Sequence, residues 1–163
     1  MLRLTKKADY GLMAVKYLAE HAEVRALSAK DIGDAYHIPV PLLAKILQQL
    51  TRAGVLVSHS GINGGYSLAR SAEAITAFEV IRAIEGPLFI TSCTTVHGNC
   101  DLTDCCTIKE PLQQLNDTIR DLLMGMRISD LCEESAAKAH AAKTRSAKES
   151  LVTLQSFGGA VRI

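Results

Sequence analysis

Between residues 28 and 69 the hydrophobic period of this chain changes once, and that change limits what it can fold into. Ser28 and Asp31 are spaced as a capping box, in which each side chain answers a free backbone N–H, so a short helix begins there and ends near His37. Pro39 prevents its continuation. Pro41 opens the next helix, because a proline at the first helical position lacks only an N–H that would have had no partner. Leu43, Ile46, Leu47 and Leu50 repeat as the buried stripe of that helix, and Pro41, Ala44, Lys45, Gln48 and Arg52 share its other side. Gly54 is placed to cap its C-terminus. The period then falls to two. Val55-Leu56-Val57-Ser58 and Tyr66-Ser67-Leu68-Ala69 read as strands, joined by a turn-rich segment containing the hairpin signal Asn63-Gly64. Two short helices across a tight turn, then a hairpin, are the parts of a winged helix.

The flanking sequence fits a mainly α fold with a small β wing. Aromatic residues are only 4% of the chain and Trp is absent, too few for a strand-rich core. Residues 7–21 form an amphipathic pattern on Tyr10, Met13, Ala14, Tyr17 and Leu18, and a further helix runs from Thr76, capped with Glu79, to Glu85 before Gly86-Pro87. From Ile108 a seam of Ile108, Leu112, Leu115, Ile119, Leu122 and Met126 has the spacing of a short coiled coil. The organisation that follows is a winged helix-turn-helix domain over 1–87, a cysteine-rich loop over 88–107, a dimerisation helix over 108–132, and an Ala-, Lys- and Ser-rich tail over 133–163 that reads as loose helix or disorder.

The net charge of +1 is silent about partners, but its distribution is not. Residues 1–70 carry nine Lys/Arg against five Asp/Glu, and residues 71–132 carry four against nine. A basic N-terminal part that also contains a helix-turn-helix pattern points to double-stranded DNA. On the helix from Pro41, Lys45 and Arg52 suit phosphates or guanine, and Gln48 and Gln49 suit adenine edges. Ser58, His59 and Ser60, with Ser28, can donate to phosphates, and Gly61, Gly64 and Gly65, followed by Tyr66, allow the wing a close approach to the DNA backbone. The alternative is a helical hairpin and β-hairpin that merely pack, or a winged helix used for protein contacts. The chain is charged from Arg3 and has no apolar run near the roughly 18 residues of a membrane span, which reads as a cytoplasmic protein without a membrane partner.

A reducing cytoplasm makes five cysteines metal-binding or redox-active before it makes them disulfides. Cys93, Cys100 and Cys106 are spaced C-x6-C-x5-C around Gly98 and Asn99. Three thiolates on an irregular loop suit an iron–sulfur cluster. Zinc, with His97 completing a set of three cysteines and one histidine, is the rival, although the loop lacks the close C-x2-C pair common in zinc sites. A metal-free thiol switch is the other. Cys105 adjoins Cys106 and is spare on this reading, and Cys132 reads as a core thiol. No nucleophile–base pair, phosphate loop or cofactor fingerprint marks an enzyme.

Taken together, Leu2-Arg3-Leu4-Thr5 with Asp9-Tyr10-Gly11, Gly54-Val55-Leu56-Val57-Ser58, Gly64-Gly65-Tyr66-Ser67-Leu68-Ala69, and Ile84-Glu85-Gly86-Pro87 followed by three spaced cysteines resemble the family of small bacterial winged-helix regulators that includes IscR and NsrR. The resemblance covers residues 1 to about 132. It implies a homodimer joined through the helix from Ile108, an iron–sulfur cluster ligated by Cys93, Cys100 and Cys106, and promoter control by the state of that cluster, with the Suf cluster-assembly regulators sharing the opening and wing most closely. The sequence departs from the IscR pattern at Lys109, where a fourth ligand histidine would stand. NsrR-type members use a carboxylate near the N-terminus of the partner subunit, and Asp9 matches that position. Asp9 is therefore the first candidate for the fourth ligand, before Cys105 and His97, against the alternative of an aspartate placed to favour the helix dipole. The cluster type, 2Fe–2S or 4Fe–4S, stays open.

Overall fold

A computed structural model describes residues 4–61, 64–89 and 106–132. Asn63, Cys93, His97, Cys100, Cys105 and the tail 133–163 lie outside the described residues. The element order is α1 (Lys6–Glu20), α2 (Ala29–Tyr36), α3 (Val40–Arg52), β1 (Leu56–His59), β2 (Gly65–Leu68), a 3-10 turn (Ala72–Ala74), α4 (Ala77–Glu85), α5 (Lys109–Gly125) and α6 (Ile128–Leu131). This is a winged helix with an added helix, mainly α with one two-stranded antiparallel sheet.

The core forms where the apolar stripes of α1, α3 and α4 meet. Leu43, Ile46, Leu47 and Leu50 of α3 are all buried, as their spacing requires. In α1 the buried positions are Ala8, Gly11, Ala14, Val15 and Leu18, one step around the helix from the expected stripe. The small residues let α1 lie close to its neighbours, and Tyr10 and Tyr17 stay half-buried at the edge, where an amphipathic ring keeps its hydroxyl near water. The α2–α3 turn is tight: His37 takes a left-handed conformation with φ 53°, and the Ile38 N–H donates to the Gly33 carbonyl at 2.9 Å.

Several boundaries differ by one residue from the sequence expectation, and two of them have a clear physical reason. Helix α3 begins at Val40 because Pro39 takes the N-cap position, while Pro41 sits in the first turn, where no N–H is needed. Strand β1 begins at Leu56 because the Val55 N–H is committed to the end of α3. Val55 donates to Leu50 and Gly54 donates to Thr51, both at 3.0 Å, with Gly54 at φ 73°. That pair of bonds is a Schellman cap, and the positive φ is the reason a glycine stands there. The strands pair from Leu56 opposite Leu68 to His59 opposite Gly65.

Residues 108–132 are not one helix. Helix α5 stops at Gly125 and the chain turns back. The Ala77 N–H donates to Met126 at 2.9 Å, and the Ile128 N–H donates to Ile75 at 3.0 Å, on either side of an antiparallel bridge between Thr76 and Arg127. Ile128 is fully buried beside α1 and the core. The short helix α6 therefore belongs to the winged-helix body. Ile128→Ala should lower stability in urea unfolding by about 2–5 kcal/mol, the usual cost of truncating a buried isoleucine. A loss below about 1 kcal/mol would show that α6 is not part of the core.

Candidate nucleic-acid interface and cysteine centre

Because α3 buries one stripe, its opposite side is turned to solvent. Pro41, Lys45, Gln48 and Arg52 are exposed along it, and Gln49 is half-buried at its margin. Helix α2 leads into this surface, and Ser28 and Asp31 fix its start. The Ser28 N–H donates to Asp31 Oδ2 at 2.9 Å, Ser28 Oγ donates to the same oxygen at 2.7 Å, and the Asp31 N–H donates back to Ser28 Oγ at 3.2 Å. Without DNA the Ser28 hydroxyl is thus engaged by Asp31, and Ser28 acts as the cap of α2. The Ser28 hydroxyl and N–H together hold the Asp31 carboxyl below its ordinary value.

The wing is fixed to this body at its base. The Leu27 N–H donates to the Tyr66 carbonyl at 3.0 Å and the Tyr66 N–H donates back at 2.8 Å, so Leu27 makes a short third edge beside β2. Gly65 lies so close to the Leu27 carbonyl and the Ser28 nitrogen that a Cβ there would collide with backbone. Its role is this close approach within the protein, and half-buried Tyr66 packs against the core. Ser58 and Ser60 are exposed near the tip. His59 is partly occupied: its Nε2 lies 2.8 Å from Ser67 Oγ across the hairpin.

The sequence gives no sign of the Leu27 edge or the His59–Ser67 bond, since both depend on how the hairpin docks. A third unforeseen link lies past β2, where Arg70 pairs with Glu79 at 2.8 Å. Burial alone would raise the Glu79 carboxyl, but hydrogen bonds from Arg70 and Thr76 outweigh it and hold the group below its ordinary value.

At the other end of the domain, Thr5 occupies the N-cap position of α1 without a side-chain capping bond and donates both its N–H and its hydroxyl to Glu85 at the end of α4. Asp9 is exposed one turn further along α1. The beginning of α1 is therefore held beside the point where the chain leaves for the cysteine loop. Cys106 is a free, half-buried thiol just before α5. Cys132 is also free. Its Sγ donates to the Ile128 carbonyl at 3.5 Å, and burial, with Glu20 adding to it, pushes its thiol up. Among the described residues no three histidine, cysteine or carboxylate side chains gather as a metal site, Cys93 and Cys100 lying outside them.

Residues 4–134 match the family model of the Rrf2 iron-dependent transcriptional regulators. The chain belongs to the Rrf2 family. It is accordingly a transcriptional regulator and not an enzyme, in line with the winged-helix architecture. Among solved structures it is similar to CymR (YrzC), the global cysteine regulator of B. subtilis, with 28% identity over 82% of this chain and 98% of that one and a TM-score of 0.65. It is similar to T. potens IscR, with 26% identity over 80% and 85% of the two chains and a TM-score of 0.61. It also resembles the oxidized form of Staphylococcus aureus CymR, with 25% identity over 81% and 97% and a TM-score of 0.61. The Rrf2 match ends near Cys132, where the winged-helix body is completed by α6. Among the described residues no helix is long and apolar enough to cross a membrane.

Replacing the α2 cap tests its assignment. Ser28→Ala should cost about 0.5–2 kcal/mol in stability, the range for losing an N-cap side chain. The ionised form of Asp31 is the one favoured by folding. Its contribution is therefore present above the ordinary aspartate range and is lost as pH falls through the depressed folded value. Wild type should lose stability more steeply than Ser28→Ala over that acid window, and parallel pH profiles would contradict the capping box.

Proposed function

We propose that this chain is a homodimeric DNA-binding regulator whose α3 enters the major groove and whose promoter binding is set by an iron–sulfur cluster held on Cys93, Cys100 and Cys106. The observation that carries the DNA reading is the division of α3: four leucine and isoleucine side chains in the core, and Lys45, Gln48 and Arg52 on the free side beside the wing. Lys45 and Arg52 contact phosphates or guanine, and Gln48 with Gln49 reads adenine edges. Ser58 and Ser60, with the unbonded nitrogen of His59, donate to the phosphate backbone from the wing.

The dimer is proposed on α5. Among the described residues its apolar seam is only partly covered: Leu112 and Ile119 are half-buried, whereas Ile108 is 60% exposed, Leu115 47% and Leu122 66%, these three at one heptad position. A second copy of the chain laid along this seam buries it and sets the separation of two recognition helices, which must match successive major grooves about 34 Å apart. Leu122→Glu should convert the dimer to a monomer in sedimentation velocity with its circular dichroism spectrum unchanged. A variant that remains dimeric would place the interface elsewhere.

The iron reading is supported by the donor set, three thiols with Asp9 as first choice for the fourth ligand ahead of Cys105 and His97. It is also supported by the description of the family as iron-dependent. When bound, the cluster supplies a tie that depends on redox state and on nitric oxide. The chain's own residues decide what that tie joins. The loop leaves from α4, whose Glu85 holds Thr5 at the start of α1, and returns at Cys106 into α5. Holding or releasing the loop therefore acts between the DNA-binding body and the dimer helix. A coupling of about 1–3 kcal/mol changes DNA affinity roughly 5- to 150-fold, enough for control of cluster-assembly genes.

Anaerobic purification tests this directly. The protein should be coloured, with matching iron and sulfide per chain, and Cys93→Ala should lose both, and its response, while keeping its fold. Similarity to CymR favours a second reading, metal-free thiol control, with zinc as its structural variant. A colourless protein whose DNA binding still responds to oxidant would establish the thiol reading.

A further inference from the structure

The wing is a two-stranded hairpin, and a hairpin of that size is marginal by itself. Beyond the Leu27–Tyr66 bridge at its base, its position depends on what holds its two ends. At the entrance, the Schellman cap fixes Val55 to α3. At the exit, two residues beyond Leu68, the Arg70 guanidinium makes two bonds: Nη2 donates to Glu79 Oε1 at 2.8 Å and Nη1 donates to the Ala74 carbonyl at 3.3 Å.

The two oxygens of Glu79 have different partners. Oε1 receives Arg70, whereas Oε2 receives the Thr76 N–H at 2.9 Å and the Thr76 hydroxyl at 3.2 Å. Thr76 is itself locked, since it bridges Arg127 between the Ala77–Met126 and Ile75–Ile128 hydrogen bonds. One carboxylate therefore joins the exit of the wing to the rigid start of α4.

We propose that Arg70 and Glu79 are a positioning pair: they hold the wing in the orientation in which it meets DNA, although neither is assigned a DNA contact. This rests on the winged-helix DNA reading above. Both side chains are partly exposed, and ion pairs of that kind add little to global stability. The pair is accordingly expected to act on the local freedom of the hairpin, not on the melting of the whole domain.

Glu79→Gln is the informative substitution. Glutamine keeps an oxygen for the Thr76 N–H, because Glu and Gln both serve in a capping box, but it removes the charge that Arg70 meets. In hydrogen–deuterium exchange without DNA, the amides of Leu56–His59 and Gly65–Leu68 should exchange about three- to fivefold faster while α3 is unchanged, the change expected from losing an exposed ion pair. Affinity for a mixed-sequence duplex at low salt should fall by a similar factor, about three- to fivefold. Arg70→Gln should reproduce both effects, Arg70→Lys should recover most of the loss, and the double variant Arg70→Gln/Glu79→Gln should lose no more than Arg70→Gln, which also gives up the Ala74 bond. Unchanged wing exchange in Glu79→Gln overturns the proposal, as does additivity in the double variant. A loosened wing with undiminished duplex affinity overturns the claim that this orientation serves DNA. Wild-type protein that binds no duplex would instead defeat the DNA reading, and the exchange measurement would still judge the pair.

Discussion

Everything in this molecule is referred to the burial of Leu43, Ile46, Leu47 and Leu50. Each such side chain contributes roughly 1.5–3 kcal/mol when fully removed from water, and all four lie on one stripe of α3. Because they are committed inward, the direction of Pro41, Lys45, Gln48 and Arg52 is no longer free. The same burial orients the Schellman cap at Gly54, from which the wing begins, and provides the floor on which α1 and α4 rest. The exposed face of α3 is thus a by-product of core packing, held with the precision of the core.

Helix positions were legible in the sequence because they follow from local chemistry. The capping boxes at Ser28 and Thr76, the glycine at 54 and the stripe of α3 all act within four or five residues. Links between distant segments were not. The pairing of Leu27 with Tyr66, the clamp from Thr5 to Glu85 and the Arg70–Glu79 pair each join residues whose neighbourhood exists only after folding. The same holds for the end of α5. Periodicity showed an apolar seam through Met126, but nothing local announced that the chain would reverse there and place Ile128 in the core.

The candidate site was legible to differing degrees for a related reason. The basic and amide side chains of α3 were found by period alone. Residue type alone offers Ser28 to DNA, and the folded backbone adds a second role for it, the cap of α2 with Asp31. Gly65, picked out for a close approach to DNA, makes its close approach to Leu27 and Ser28 within the fold. A polar or small residue near a recognition helix has two possible employers, backbone and ligand, and only the positions of neighbouring backbone groups decide between them.

The return of the chain after α5 gives that helix the mechanics of a lever. Its C-terminal end is pinned by the backbone bonds around Thr76 and by Ile128 in the core, while its N-terminal end is attached to Cys106. At 1.5 Å per residue, 17 residues make an arm about 25 Å long. A displacement applied at the cysteine end bears on the pinned end at residues 126–128 and, through them and the packing of α5 on α4, on the start of α4. The fulcrum lies inside the winged-helix body itself.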